Sequence, residues 1–170
     1  MKILILGYAR SGKDTLAKIW EEEFGLKHKS SSEAANEIFI FDALKDKYGY
    51  KTKEECFEDR VNKRKEWYNL ISAYNINDKS RLARKILEDS DIYVGLRAKD
   101  EVEACIERSV FDTIVWVDAE QRVGKEDSSS CTVDKYYADV VLDNNSTKEK
   151  FKENAILVGE FLGLRNKENG

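Results

Sequence analysis

The sequence predicts an α/β fold in which a parallel sheet is flanked by helices. Three observations predict it. Short continuous apolar runs at Lys2 to Leu6, Asp91 to Leu96 and Thr113 to Val117 suit strands buried on both faces. Between them, apolar residues recur at intervals of three and four, the helical period. Strand and helix then alternate along the chain, which is the order of parallel strands joined by crossovers.

The first unit is strand, glycine loop, helix. Gly7 ends the first run, and from Asp14 to Phe24 the apolar positions Leu16, Ala17, Ile19, Trp20 and Phe24 share one helical face, with Gly25 as the stop. A polar connection, Lys27 to Ser32, leads to a second helical pattern, capped by Ser31 or Ser32 and packed through Ala35, Ile38, Phe39, Phe41 and Leu44. The charged segment Thr52 to Asp89 reads as helices broken near Asn75 to Asp78. Lys99 to Arg108 is a helix, Ala138 to Leu142 a last strand, and Thr147 to Leu162 a closing helix. The tail from Arg165 is expected to fray. The polar, serine-rich stretch between Asp118 and Val133 is longer than a connection needs, so it is mobile or functional.

At 170 residues, with 41% hydrophobic and 36% charged residues, the chain suits one domain with one solvated exterior and excludes a disordered or collagenous chain. Residues 1–170 therefore form a single unit, with a lid loop at about 119–133 and a helical segment at about 52–89. A net charge of −4 offers no global attraction to nucleic acid or anionic membrane, so any polyanion must be met by a local basic patch. No apolar run is long enough for a bilayer, and a soluble protein of the cell interior is expected. Cys56, Cys105 and Cys131 form no CxxC pair and read as free thiols. With His28 as the single histidine, neither a zinc site nor a Ser/His/Asp triad is expected.

Gly7-Tyr8-Ala9-Arg10-Ser11-Gly12-Lys13 fits the GxxxxGK frame of the phosphate-binding P-loop and lies between the first strand and the first helix, where that motif must sit. Its glycines allow main-chain N–H groups to converge on phosphate oxygens, the helix N-terminus adds partial positive charge, and Lys13 would bridge the outer phosphates. Arg10 and Ser11 complete the loop. The frame expects Ser or Thr after the lysine as a magnesium ligand, whereas Asp14 stands there and Thr15 follows. Asp14 reaching Mg2+ through water and Thr15 contacting a phosphate are both open. The Gly-Lys-Asp-Thr ending resembles the P-loop of nucleoside monophosphate kinases, and without an Asn-Lys-x-Asp guanine motif ATP is the expected donor.

Phosphoryl transfer needs cations around the moving group. Arg97 directly follows a strand and so stands at the carboxyl edge of the sheet, where ligands of open α/β folds bind; the alternative is a surface arginine beside the next helix. Arg122 opens the serine-rich loop and is a lid candidate. Arg60, Arg64, Trp67 and Tyr74 mix cations and aromatics in a way that suits clamping a phosphate and stacking a base, against the plainer reading of an amphipathic helix with Trp67 in the core. Asp42, after the apolar stretch Ile38 to Phe41, is a candidate to orient or deprotonate an acceptor hydroxyl.

Gly7 to Thr15, Glu66-Trp67-Tyr68, Ala73-Tyr74-Asn75, Arg81-Leu82-Ala83-Arg84 and Asp91 to Arg97 together resemble the phage P-loop kinases related to deoxynucleoside monophosphate kinases. Within that group the similarity is greater to the 5-hydroxymethyluracil DNA kinases. The resemblance implies a P-loop NTPase fold, ATP and Mg2+ as cofactors, and transfer of the γ-phosphate to the 5-hydroxymethyl oxygen of a modified uracil in DNA, inside the infected bacterial cell. In it, Lys13 and the loop amides would hold ATP, Arg97 would stabilise the moving group, and Arg60, Arg64, Trp67 and Tyr74 would face the acceptor. Two rivals remain: a kinase for free deoxynucleoside monophosphates, which the acidic net charge favours, and a partner protein that binds nucleotide without turnover. No membrane partner is expected.

Overall fold

In a computed structural model, which describes residues 1–166, strand β1 (Ile3–Leu6) is buried at every position. It lies at the centre of a five-stranded, wholly parallel sheet, between β3 (Ile92–Val94) and β4 (Thr113–Asp118). The edges are β2 (His28–Ser30), paired to β3, and β5 (Val140–Asp143), paired to β4, giving the order β2-β3-β1-β4-β5. The register sets Ile3 beside Ile92 and Thr113, so the carboxyl ends of the inner strands open on one side.

Side chains alternate across the sheet and build a core on each face. Ile3, Ile5, Val115 and Val117 pack on α1 (Lys13–Phe24) and α9 (Lys148–Phe161), where Trp20 donates to the Ala155 carbonyl at 2.8 Å. Leu4, Leu6, Tyr93, Ile114 and Trp116 face the remaining helices. These are α2 (Ser31–Ala35), α3 (Phe41–Tyr48), α4 (Lys53–Asp59), α5 (Arg64–Tyr74), α6 (Arg81–Ile86) and α7 (Lys99–Glu107). A π-helical turn, Asn36–Ile40, joins α2 to α3, and a 3-10 turn, Arg60–Asn62, joins α4 to α5.

The structure differs from the sequence reading in three places. β2 replaces part of the expected polar connection, because its residues His28, Lys29 and Ser30 are only half-buried at an edge and carry no apolar signal. Ser30, rather than Ser31 or Ser32, caps α2, accepting from the Glu33 N–H while Glu33 answers the Ser30 N–H at 2.9 Å. The stretch after β4 holds a short helix, α8 (Glu120–Val123). The expected break near Asn75 is present: buried Asn75 accepts from the Leu82 N–H and donates to Glu101, both at 3.1 Å. The three cysteines are unpaired and buried. Among the described residues no helix is long and apolar enough to cross a membrane. Of the tail expected to fray, residues 167–170 lie outside the described residues.

Candidate functional site

β1 delivers the chain into the glycine loop, and two positions there require glycine. Gly7 has φ +152°, and a Cβ on it would stand 2.5 Å from Ser11 Oγ and 2.8 Å from the Val117 carbonyl oxygen. Gly12 has φ +104°, and its Cβ would meet Asn144 Nδ2 at 2.5 Å. Arg10, the apex residue, also has positive φ, at 61°. The turn is closed by Ser11 N–H donating to the Tyr8 carbonyl at 3.2 Å and by Asn144 Nδ2 donating to the Ser11 carbonyl at 2.8 Å. Ser11 Oγ is buried without a partner. The 12-residue helix α1 follows at once, directing its free N-terminal N–H groups to the loop.

Lys13 is 8% exposed, and its ammonium donates to the Tyr8 carbonyl at 2.8 Å. Burial lowers its pKa, and the positive charge of Arg97 lowers it further, so the site favours arrival of an anion. Arg97 stands just beyond β3 and forms an ion pair with Glu126, whose other carboxylate oxygen accepts the Ala9 N–H at 2.7 Å. Arg122, on α8, donates from Nε to the Asn144 carbonyl at 3.2 Å and from Nη2 to the Arg10 carbonyl at 3.5 Å. The 119–133 segment expected as a lid therefore lies against the glycine loop through Arg122 and Glu126.

A cleft of about 700 Å³ opens beside the loop, within the range of small-molecule sites. Arg10, Lys13, Lys18, Arg60 and Arg97 line it, together with Asp14 and the junction of β2 with α2. A groove of about 480 Å³ shares Ser32, Arg60 and Arg97 with the cleft and runs on past Arg64, Trp67 and Tyr68. Among the described residues, Arg10, Lys18, Arg60 and Arg64 have no carboxylate within ion-pair distance. Arg60 instead lies over the Phe57 ring, 3.8 Å from its centroid, and donates to the Phe57 carbonyl.

The expected residues divide accordingly. Gly7, Arg10, Ser11, Gly12, Lys13, Asp14, Arg97 and Arg122 converge on the loop, and Arg60, Arg64 and Trp67 border the cleft and groove. Trp67 is 4% exposed and packs edge-on to Phe57, so it belongs to the core and gives the groove only part of its surface. Thr15 is exposed and lies outside the cleft lining. Two expectations are corrected. Asp42 projects from α3 into solvent, held by Lys45 at 2.6 Å, away from the cleft; the helix period turns it outward opposite buried Leu44. Tyr74 stacks on Phe39, 4.5 Å between centroids, beneath Arg81, and faces neither opening.

Sequence reasoning missed Asn144, Glu126 and the Ser30–Glu33 turn. Asn144 and Glu126 act across 133 and 117 residues of chain, so no local pattern betrays them. The turn's signal was present in the serine three residues before a glutamate, the capping-box spacing.

The sequence matches no protein-family model and no curated protein. Solved structures do resemble it. Dephospho-CoA kinase from Campylobacter jejuni superposes with a TM-score of 0.53 at 14% identity, covering 95% of this chain and 96% of that one. Shikimate kinase from Bacteroides thetaiotaomicron gives a TM-score of 0.51 at 11% identity, covering 96% and 99% respectively. The likeness extends over nearly the whole of each chain, and it is one of fold: the chain has the P-loop α/β architecture of these kinases.

Proposed function

We propose that this chain is an ATP-dependent phosphotransferase whose acceptor is the 5-hydroxymethyl oxygen of a modified uracil in DNA. The observation that carries the kinase reading is the opening of a cation-lined cleft directly beside the Lys13 glycine loop. In the reaction, the acceptor oxygen bonds to the γ-phosphorus as the bond to the bridging oxygen breaks, ADP leaves, and the hydroxyl proton is lost. Such transfer is driven by positioning and by cations around the three outer oxygens. The loop amides and Lys13 would bind the triphosphate, and Arg97 would meet the moving group once separated from Glu126. Of the carboxylates, Asp14 and Glu33 border the cleft; with Asp14 assigned to magnesium, the proton acceptor is sought at Glu33 and not at Asp42.

Magnesium fits as a ligand shared with substrate. Among the described residues no three carboxylate, histidine or cysteine groups form a cage, while Asp14 faces the cleft where phosphates would supply the other oxygens. When bound, the ion offsets charge between the outer phosphates.

Support for a polymeric acceptor comes from the resemblance and from the groove, which continues to Tyr68, 71% exposed, past cations without carboxylate partners. The net charge of −4 favours the second reading, a free deoxynucleoside monophosphate. Labelled ATP offered with hydroxymethyluracil DNA, unmodified DNA and each free deoxynucleotide separates them. Label on the modified DNA alone is expected; label on a mononucleotide alone rejects the DNA acceptor. The Lys13→Ala protein should transfer no label to any of them. Nucleotide binding without transfer to any acceptor would move the chain to the class of non-catalytic partners.

A further inference from the structure

We infer that Glu126 is a displaceable latch: its carboxylate fills a phosphoryl-oxygen position at the glycine loop, so an incoming polyphosphate must expel it and thereby frees Arg97. The inference rests on the nucleotide reading above and adds a competitor internal to the chain. Glu126 accepts the Ala9 N–H at 2.7 Å with one oxygen and pairs with Arg97 through the other. A loop amide and an arginine are the donors a phosphate would use, and a carboxylate presents the same acceptor oxygens and charge to them.

The surrounding chain permits release. On one side α8 is pinned by Gln121 N–H donating to Asn145 Oδ1 at 3.0 Å and by Arg122 to Asn144. On the other, Thr132 N–H donates to the Arg97 carbonyl at 3.0 Å, and Thr132 Oγ1 accepts the Lys99 N–H at 2.8 Å. Between these anchors Gly124 has φ +76° with open space around its Cβ direction, and Lys125 and residues 127–130 are exposed. Glu126 is thus the side chain fastening this short span to the loop, its own side chain 17% exposed. Loss of its two contacts lets the span move without disturbing either anchor.

The test measures binding of ATP, inorganic tripolyphosphate and adenosine to the full chain and to Glu126→Ala, by calorimetry with and without magnesium. Removing a charge-assisted competitor should tighten ATP and tripolyphosphate about tenfold, and adenosine, without phosphate, should gain nothing. Equal or weaker ATP and tripolyphosphate affinity in Glu126→Ala overturns the latch and leaves the nucleotide site standing. Failure of both proteins to bind either polyphosphate overturns the nucleotide reading and the latch with it. Glu126→Gln, which keeps the side chain's size without its charge, is a second readout: it too should tighten tripolyphosphate, and an affinity equal to the parent's rejects expulsion.

Discussion

Replacing Gly12 with alanine tests the geometry on which the glycine loop depends. At φ +104° a side chain is strained, a cost of about 1–2 kcal/mol in the left-handed region. The new Cβ would also stand 2.5 Å from Asn144 Nδ2, the atom that donates to the Ser11 carbonyl. Asn144 must then withdraw, forfeiting a buried hydrogen bond worth about 1 kcal/mol. Gly12→Ala should therefore cost about 2–3 kcal/mol, a fall in Tm of about 4–12 °C for a chain of this size. Asn144→Ala alone should cost about 1 kcal/mol. In the double variant the steric encounter is gone, so the two effects should fall short of additivity by about 1 kcal/mol in urea melts. A Gly12→Ala protein that melts with the parent, or a cycle additive to within about 0.3 kcal/mol, would refute the reasoning.

The same structure makes further predictions. Hydrogen bonds from Ser80, then the cations Arg84 and Arg108, hold Asp78 down to about 2, so its stabilisation is present above the ordinary aspartate range and lost as pH falls toward that value. Asp78→Asn should be less stable at neutral pH and show a shallower acid limb in Tm against pH; an unchanged limb contradicts this. Burial raises Glu101 despite its bond from Asn75, so wild-type stability declines as pH climbs through that raised value. Glu101→Gln should raise Tm at pH ~7 and give no gain at pH ~3.5, below the ordinary glutamate range. Gly159→Ala would place a Cβ 2.7 Å from Phe24 Cζ where α1 meets α9, and the resulting overpacking should cost about 1–3 kcal/mol by denaturant melt, outweighing alanine's helix preference.

Much of the framework was legible from local pattern. β1, β3 and β4 are inner strands, and strands buried on both faces must be apolar at successive positions, so Ile3 to Leu6 and Ile114 to Val117 announce themselves. The glycine loop was legible because its glycines and Lys13 are close in sequence. β2 was not, since an edge strand of His, Lys and Ser has no apolar face to display. Trp67 was ambiguous because a helical period shows which residues share a face but not what covers it. Asp42 was misassigned for the same reason: its side of α3 is exposed, and its carboxylate pairs with Lys45.

Composition and short-range spacing alone determined a glycine-rich turn ending in Lys13 on a parallel α/β sheet, since backbone dihedrals, caps and periodicity are properties of neighbouring residues. Tertiary structure decided which distant groups complete that turn. Asn144 holding Ser11, Glu126 covering Ala9, and Arg60 sharing a cleft with Lys13 exist only once the strands are stacked in register and their carboxyl ends brought together. Contacts spanning more than a hundred residues leave no periodic trace in the chain, because the free energy that forms them comes from burial of the sheet between its two helical layers.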